Sequence, residues 1–352
     1  MDHIMKEIIR AASASPSVAN SQPWSFSVRD NLIQVRPDKK RADSFGNTGN
    51  TVTYTTIGGV VENLTIAAQH FGFSTEIKFF PECVDKGIIA EMNFREDKTA
   101  DTPLFQFIFT RHTNRRLYHK SPIPTHISES FIQMANSFRG AHFHWIEDQT
   151  TIDKLASLVK QTETLMYEHP RLHSDLFKWM RWTQEEAIKT GDGLSIKTLE
   201  INKFQEMALK YLSSWKTMNF LSRFHISSLV SDYSYRLVKN SPALGFIVMD
   251  RQTPEDYFNG GRFFERIWIT ATSQGLAVHP MCPVVVLPTV CRMLTGKGFS
   301  DKHQKVLQNV LNQLIDIFQL KPKNAMVMFF RIGYAPPPTE QSLRRQVDDI
   351  II

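Results

Sequence analysis

Apolar residues recur along this chain with two periods, one helical and one extended, and their succession outlines a fold. Ile4, Met5, Ile8, Ile9 and Ala12 fall at helical spacing, which predicts an amphipathic opening helix that breaks near Pro16. Short runs at Phe26 to Val28 and Ile33 to Val35 read as strands. Ile57, Val60, Val61, Leu64, Ala68 and Phe71 make the stripe of a second helix, closed by Gly72. Thr75 to Phe80 then alternates as a strand does, and Leu104 to Phe109 reads as another.

The order partly recurs. Ile127, Phe131, Met134, Ala135 and Phe138 predict a helix, Ala141 to Trp145 and Leu244 to Met249 predict strands, and Gly261 to Thr272 predicts a helix burying Phe264, Ile267, Trp268 and Ala271. Val306 to Phe318 gives the clearest amphipathic helix, followed by the continuous apolar run Ala325 to Phe330, which suits a strand covered on both faces. The expected class is α+β, with two similar units at 1–110 and 111–352 but no repeat visible in the residues themselves. Residues 150–240 interrupt the second unit with helical spacing and heavy side chains, among them Trp179, Trp182, Phe204, Tyr211 and Trp215, and Gly191-Asp192-Gly193 breaks them into pieces. This helical insertion is either a cover over a site or an enlargement of the core.

Composition narrows the class. At 352 residues and 42% hydrophobic content the chain can bury a large core. Cys83, Cys282 and Cys291 are odd in number and lack C-x-x-C spacing, so reduced thiols are expected rather than a disulfide framework or a zinc knuckle. With neither a membrane-length apolar run nor a signal-peptide core, a cytoplasmic protein with no membrane partner is expected. The net charge of +6 invites a nucleic-acid reading, but the cations are scattered at Lys39 to Arg41, Arg111 to Lys120 and Arg344 to Arg345 without a recognition motif. No nucleic-acid partner is expected; a basic surface drawing small anions is the simpler account, with a merely solvated face equally good for Lys39 to Arg41.

Two segments carry candidate chemistry. ASPSVANSQPW, residues 14 to 24, sets a polar turn directly after the opening helix, where main-chain donors, Pro16, Ser17 and Asn20 can meet a planar hydrogen-bonding ring. Helix termination with an Asx turn explains the same residues. RHTNRR, residues 111 to 116, supplies cations for a phosphate: Arg111 and Arg115, four apart, share a face if they open a helix. Taken together the two suit a ligand with a polar aromatic ring at one end and a phosphate at the other. His142 and His144 share a strand face but lack the further ligands a metal site needs, and Pro170 interrupts the helix that the i, i+4 spacing of His169 and His173 requires. No catalytic acid, base or nucleophile is assigned, and His279 is given no catalytic role.

These two runs, with GFIVMD…GGRFFERIWITATSQGLAVHPMCP and VMFFRIGYAPPP…LRRQ, resemble the nitroreductase superfamily, and in particular its tandem-domain, Acg-like branch. The resemblance implies FMN held between two α+β units of one chain, a monomeric pseudo-dimer. The first unit has the Ser-x-x-Asn turn but no Arg-x-Ser-x-Arg run before its helix. The second has Arg111, Thr113 and Arg115 but reads FRGAHFHWI where a second turn would stand, so one FMN per chain is implied. Thr113 replaces the usual serine and keeps its hydroxyl. Arg344 and Arg345 resemble the family's C-terminal basic pair at the phosphate, and Pro280 and Met281 lie in the loop resembling the one whose backbone faces the flavin. The implied activity is hydride transfer from NAD(P)H to FMN and on to a quinone or nitroaromatic acceptor by a ping-pong route. The alternative is a stress-associated protein that sequesters FMN beneath the insertion.

Overall fold

Alternating burial builds two antiparallel sheets in the structure, a computed structural model that describes residues 3–80, 87–97 and 102–352. β1 (Trp24–Arg29), β2 (Leu32–Pro37), β3 (Phe73–Phe79) and β4 (Ala90–Glu96) form one in the order β1-β2-β4-β3. β5 (Ala141–Ile146), β8 (Ala243–Met249), β9 (Ala277–Pro280) and β10 (Ala325–Gly333) form the other in the order β5-β8-β10-β9. Between them, β6 (Met180–Arg181) and β7 (Leu194–Ser195) make a short parallel pair. Every residue of β8 and β10 is buried, as the unbroken apolar runs predict for strands covered on both faces. The α+β expectation is met, with one four-stranded sheet from each half of the described chain.

The two halves are joined by two 20-residue helices, Thr51–His70 and Pro254–Ser273. They cross where each carries a glycine pair. A Cβ on Gly58 would overlap the Phe258 carbonyl and one on Gly261 the Thr55 carbonyl, so only glycine allows this approach. Beside the crossing, the fully buried Glu62 accepts from Arg262 Nε at 3.0 Å and pairs with Arg266. The last residues return to the first half: Phe26 N–H donates to Ile350 O and Ile352 N–H to Phe26 O, both at 2.8 Å, and Ile350 joins the core under the first sheet.

Several elements differ from the expectation. Leu104 to Phe109, read as a strand, is the helix Phe105–Thr110. Its alternating phenylalanines mimic an extended period, but Phe105 stacks on His70 at 4.1 Å and meets Phe109, four positions on, at 5.6 Å between ring centroids. Pro170 does not interrupt a helix; it opens one, Pro170–Lys178, with His169 as its cap. The segment after His279 continues as the helix Pro283–Met293. Residues 149–239 are largely helical, as expected, and Gly191 ends the helix Gln184–Thr190. Cys83 lies outside the described residues, whereas Cys282 and Cys291 are free thiols.

Candidate functional site

The opening helix ends at Ser13, and the chain then bends through Ala19, Asn20 and Gln22 with left-handed φ of 51°, 52° and 50°. Non-glycine residues take that region at roughly 1–2 kcal/mol each, so neighbouring groups must hold them there. Ser17 Oγ accepts from Gln22 N–H at 2.9 Å. Asn20 Nδ2 donates to the Gly193 and Leu343 carbonyls, each at 3.0 Å, and Gly193 N–H donates back to the Asn20 carbonyl at 3.1 Å. Gln22 Nε2 donates to the Gly191 carbonyl at 2.8 Å, and its Oε1 accepts from Arg345 N–H at 2.9 Å. The bend is therefore clamped by the helical insertion on one side and the C-terminal tail on the other. Gly193, at φ +74°, has no room for a Cβ beneath the Trp179 carbonyl.

Behind the bend lies a sealed cluster of charge. Arg111 and Arg344 both donate through Nη2 to the Ala14 carbonyl, at 2.6 and 2.8 Å. Arg344 Nη1 also donates to Asn20 Oδ1 at 3.1 Å. Arg111 Nε lies 3.0 Å from Glu265 Oε1, and its guanidinium stands 4.4 Å from the Trp268 ring centroid. This ion pair is close but poorly aligned, and Arg111 Nε makes no hydrogen bond among the described residues. Burial pushes the Glu265 carboxyl up to about 7 against the pull of Arg111. Burial, aided by the like charge of Arg111, brings Arg344 down to about 9.

In front of the bend is a cavity of about 210 Å³, walled by Pro16, Ser17 and Ala19 from the first half and by Thr113, Arg115 and Pro280 from the second. Phe264 and Trp268 line it from the long second-half helix. The register of β10 slips between Met326 and Met328, and a bulge of this kind lets Met326, Val327 and Met328 all reach the cavity. Thr113 and Arg115 arrive by an extended path: the chain leaves its helix at Thr110, Thr113 bridges Val278, and Asn114 N–H donates to the Val278 carbonyl at 3.1 Å. Arg111 and Arg115 thus do not share a helical face. The segment is not helical, and the two guanidinium groups part.

Arg115 donates through Nη1 to the Thr198 carbonyl at 3.0 Å and forms no ion pair among the described residues. Burial lowers it to about 10, so it stays charged at neutral pH. His279 lies beside it, and its Nδ1 accepts from Arg331 Nε–H at 3.0 Å. Burial first, then Arg331 and Arg115, hold His279 well below the usual imidazole range, so it is neutral and accepts from Arg331 through Nδ1. Cys282 also lines the cavity, and burial pushes its thiol up to about 12.

Pro16, Ser17, Thr113, Arg115 and Pro280 are brought together at one cavity; Asn20, Arg111, Met281, Arg344 and Arg345 do not line it. Asn20 was expected to meet a ligand ring, but both ends of its amide are used to hold the bend. Met281 was expected to offer a backbone donor, but its N–H goes to the Phe329 carbonyl at 2.8 Å and its side chain is core. The C-terminal arginines, expected at a phosphate, serve the back of the bend: Arg345 Nη2 donates to the Asp349 carbonyl at 2.7 Å. Sequence reasoning missed Ala19, Cys282 and Glu163, of which only Glu163, an acid between the buried Thr162 and Leu165 of the helix Gln149–Glu168, carried a readable signal. Of the histidines weighed for a metal, His142 Nε2 lies 2.8 Å from Asp250 Oδ1 and His169 and His173 meet the Gly298 and Leu212 carbonyls, and among the described residues no group could hold a metal ion.

No family model matches the chain. It is 25% identical over 348 residues to the uncharacterized protein MT1398 of Mycobacterium tuberculosis (strain CDC 1551 / Oshkosh), covering 96% of this chain and 47% of that protein. It is 23% identical over 199 residues to the "Putative NAD(P)H nitroreductase acg" of the same organism, covering 56% of this chain and 58% of that one. The chain spans about half the length of the curated relatives it matches. No helix among the described residues is long and apolar enough to cross a membrane. Solved structures that overlap it include an iodotyrosine deiodinase bound to FMN and 3-iodo-L-tyrosine (TM-score 0.39, 12% identity, 69% of this chain and 95% of that one). A nitroreductase with bound FMN from Bacteroides fragilis overlaps at TM-score 0.37 and 11% identity, over 69% of this chain and 94% of that one. In sequence this chain is similar to a curated nitroreductase, and proteins of the nitroreductase family stand among its structural neighbours.

Proposed function

We propose that the chain is an FMN-dependent oxidoreductase that takes electrons from NAD(P)H and passes them to a small quinone- or nitroaromatic-type acceptor by a ping-pong route, with one FMN per chain. The observation that carries this reading is the cavity in which the strained Ser17–Ala19 bend faces Thr113 and the unpaired guanidinium of Arg115. The residues fit the cofactor. A half-buried cation with no ion pair among the described residues favours an anionic or carbonyl oxygen, while Trp268, Phe264 and Val327 offer apolar contact to a flat ring. Arg115 and Thr113 would hold the polar oxygens, and the Pro16–Ala19 backbone would border the ring. FMN, when bound, supplies a two-electron carrier; the protein's own residues orient it, exclude water and keep His279 neutral beside it. In this reading the units 1–110 and 111–352 act as a single monomeric pseudo-dimer.

The resemblance to the Acg-like branch and the similarity to a relative named as an NAD(P)H nitroreductase support the same reading. A second reading is favoured by one observation: Glu163, Met166, Leu176 and Trp179 of the helical insertion wall the space beyond the bend, as a cover that sequesters FMN would. Stopped-flow mixing of the FMN-loaded chain with NADH or NADPH separates the two. Flavin bleaching within seconds is expected; a flavin that stays oxidised for many minutes rejects the reductase and leaves the sequestering protein.

A further inference from the structure

Beyond the bend, a chamber of about 230 Å³ under the helical insertion shares Val18, Ala19, Cys282 and Pro283 as walls with the cavity. Its walls are mostly apolar, with Met166, Leu172, Leu176, Trp179 and Leu287 among them, and three charged side chains face it. Two of these are already engaged: Arg41 Nη1 donates to Asp192 Oδ2 at 2.7 Å, and Asp175 Oδ2 accepts from Phe45 N–H at 2.7 Å. The third, Glu163, has no hydrogen bond and no ion pair among the described residues, although its side chain is mostly buried. It also lines a further cavity of about 530 Å³ that it shares with Arg115, His279 and Tyr167. Glu163 therefore stands where the chamber meets the space beside Arg115. Burial pushes its carboxyl up to about 7, against the pull of Arg115, so at neutral pH it can both hold and release a proton.

We propose that this chamber seats the electron acceptor, a flat, neutral, largely apolar molecule with a reducible carbonyl oxygen such as a quinone, and that Glu163 is the acid that protonates that oxygen. The proposal rests on the flavin reading above. With FMN bound and reduced by NAD(P)H, a quinone acceptor would gain a hydride, two electrons and one proton, as an O–H bond at one oxygen, and its other C=O would become C–O⁻. The O–H bond of Glu163 then breaks as an O–H bond forms on the acceptor, and the carboxylate regains a proton from water. An anionic acceptor is disfavoured, because the chamber offers no unpaired cation and one titrating carboxyl.

The test uses the full FMN-loaded chain, its Glu163→Gln and Glu163→Asp variants, and menadione as the acceptor. Reoxidation of the bleached flavin by menadione is expected to slow as pH rises through about 7. In Glu163→Gln it should be about 100-fold slower and flat with pH, with partial recovery in Glu163→Asp. Binding is read separately on the oxidised protein: menadione should shift a protonated-carboxyl infrared band that titrates near 7 and is missing from Glu163→Gln. Wild-type reoxidation rates in Glu163→Gln with an unchanged pH profile, or a carboxyl band that menadione does not move, would overturn the proposal. A protein whose band responds to menadione but whose flavin never bleaches keeps the chamber and rejects the reductase instead.

Discussion

Two carboxyls in this molecule, Glu265 and Glu163, are pushed by burial to the same value of about 7, and they stand in opposite surroundings. Glu265 lies behind the bend, fully buried against Arg111, with Arg344 close by and Ala14 bonded to both cations. Glu163 lies beyond the front, unpaired, at the junction of two cavities, with Arg115 as the cation nearest in influence. A shifted carboxyl alone does not mark a site. What separates the two is whether the group faces protein or space. Arg111 and Arg115 divide in the same way, although one short sequence run carries both.

The largest effect should come from the sealed side. Arg111→Met leaves Glu265 without its cation in a site water does not reach, and should cost about 3–5 kcal/mol of stability in urea unfolding. A loss below about 1 kcal/mol would mean that the back of the bend is not sealed. On the open side, Arg115→Met should leave unfolding much less affected but weaken FMN about 10- to 100-fold, as losing one or two charged hydrogen bonds implies. If Arg111→Met and Arg115→Met behave alike in both assays, the comparison fails. Gly193→Ala, which loads a side chain onto a left-handed φ of +74° and against the Trp179 carbonyl, should cost at least about 1–2 kcal/mol and loosen the bend. Intact stability and FMN uptake in that variant would free the bend from its clamp.

The remaining effect is a pH dependence. The folded state holds Glu163 at about 7 against an ordinary 4.5, so ionising it opposes folding. The stability it contributes is full below 4.5 and is lost as pH rises through about 7. Glu163→Gln should therefore gain melting temperature over the wild type across that window and hold the gain above it. A difference that does not change with pH would place Glu163 in contact with solvent.

Much of the fold was legible because burial follows period. The stripe of Val306 to Phe318 and the run Ala325 to Phe330 fall where the residues predict, inside Asp301–Phe318 and β10. The helix Pro283–Met293 was hidden, since its valines and internal Pro288 speak against helix and only burial of Val284, Val285 and Leu287 overrides them. β4 passed unread although Ala90, Met92 and Phe94 alternate, because Glu91, Arg95 and Glu96 surround so short a signal. At the site, the bend and the Arg111–Arg115 run were both legible as segments. The direction of each side chain was not: it depends on a helix that ends at Thr110 and on partners such as Gly193, Glu265 and Phe329 that lie far away in sequence.

The most direct test is an equilibrium titration of FMN into the purified wild-type chain, followed by flavin fluorescence. Binding that saturates at one FMN per chain, with the emission quenched by an aromatic wall such as Trp268, is the predicted result. A colourless chain that leaves added FMN free and fully fluorescent would contradict the account.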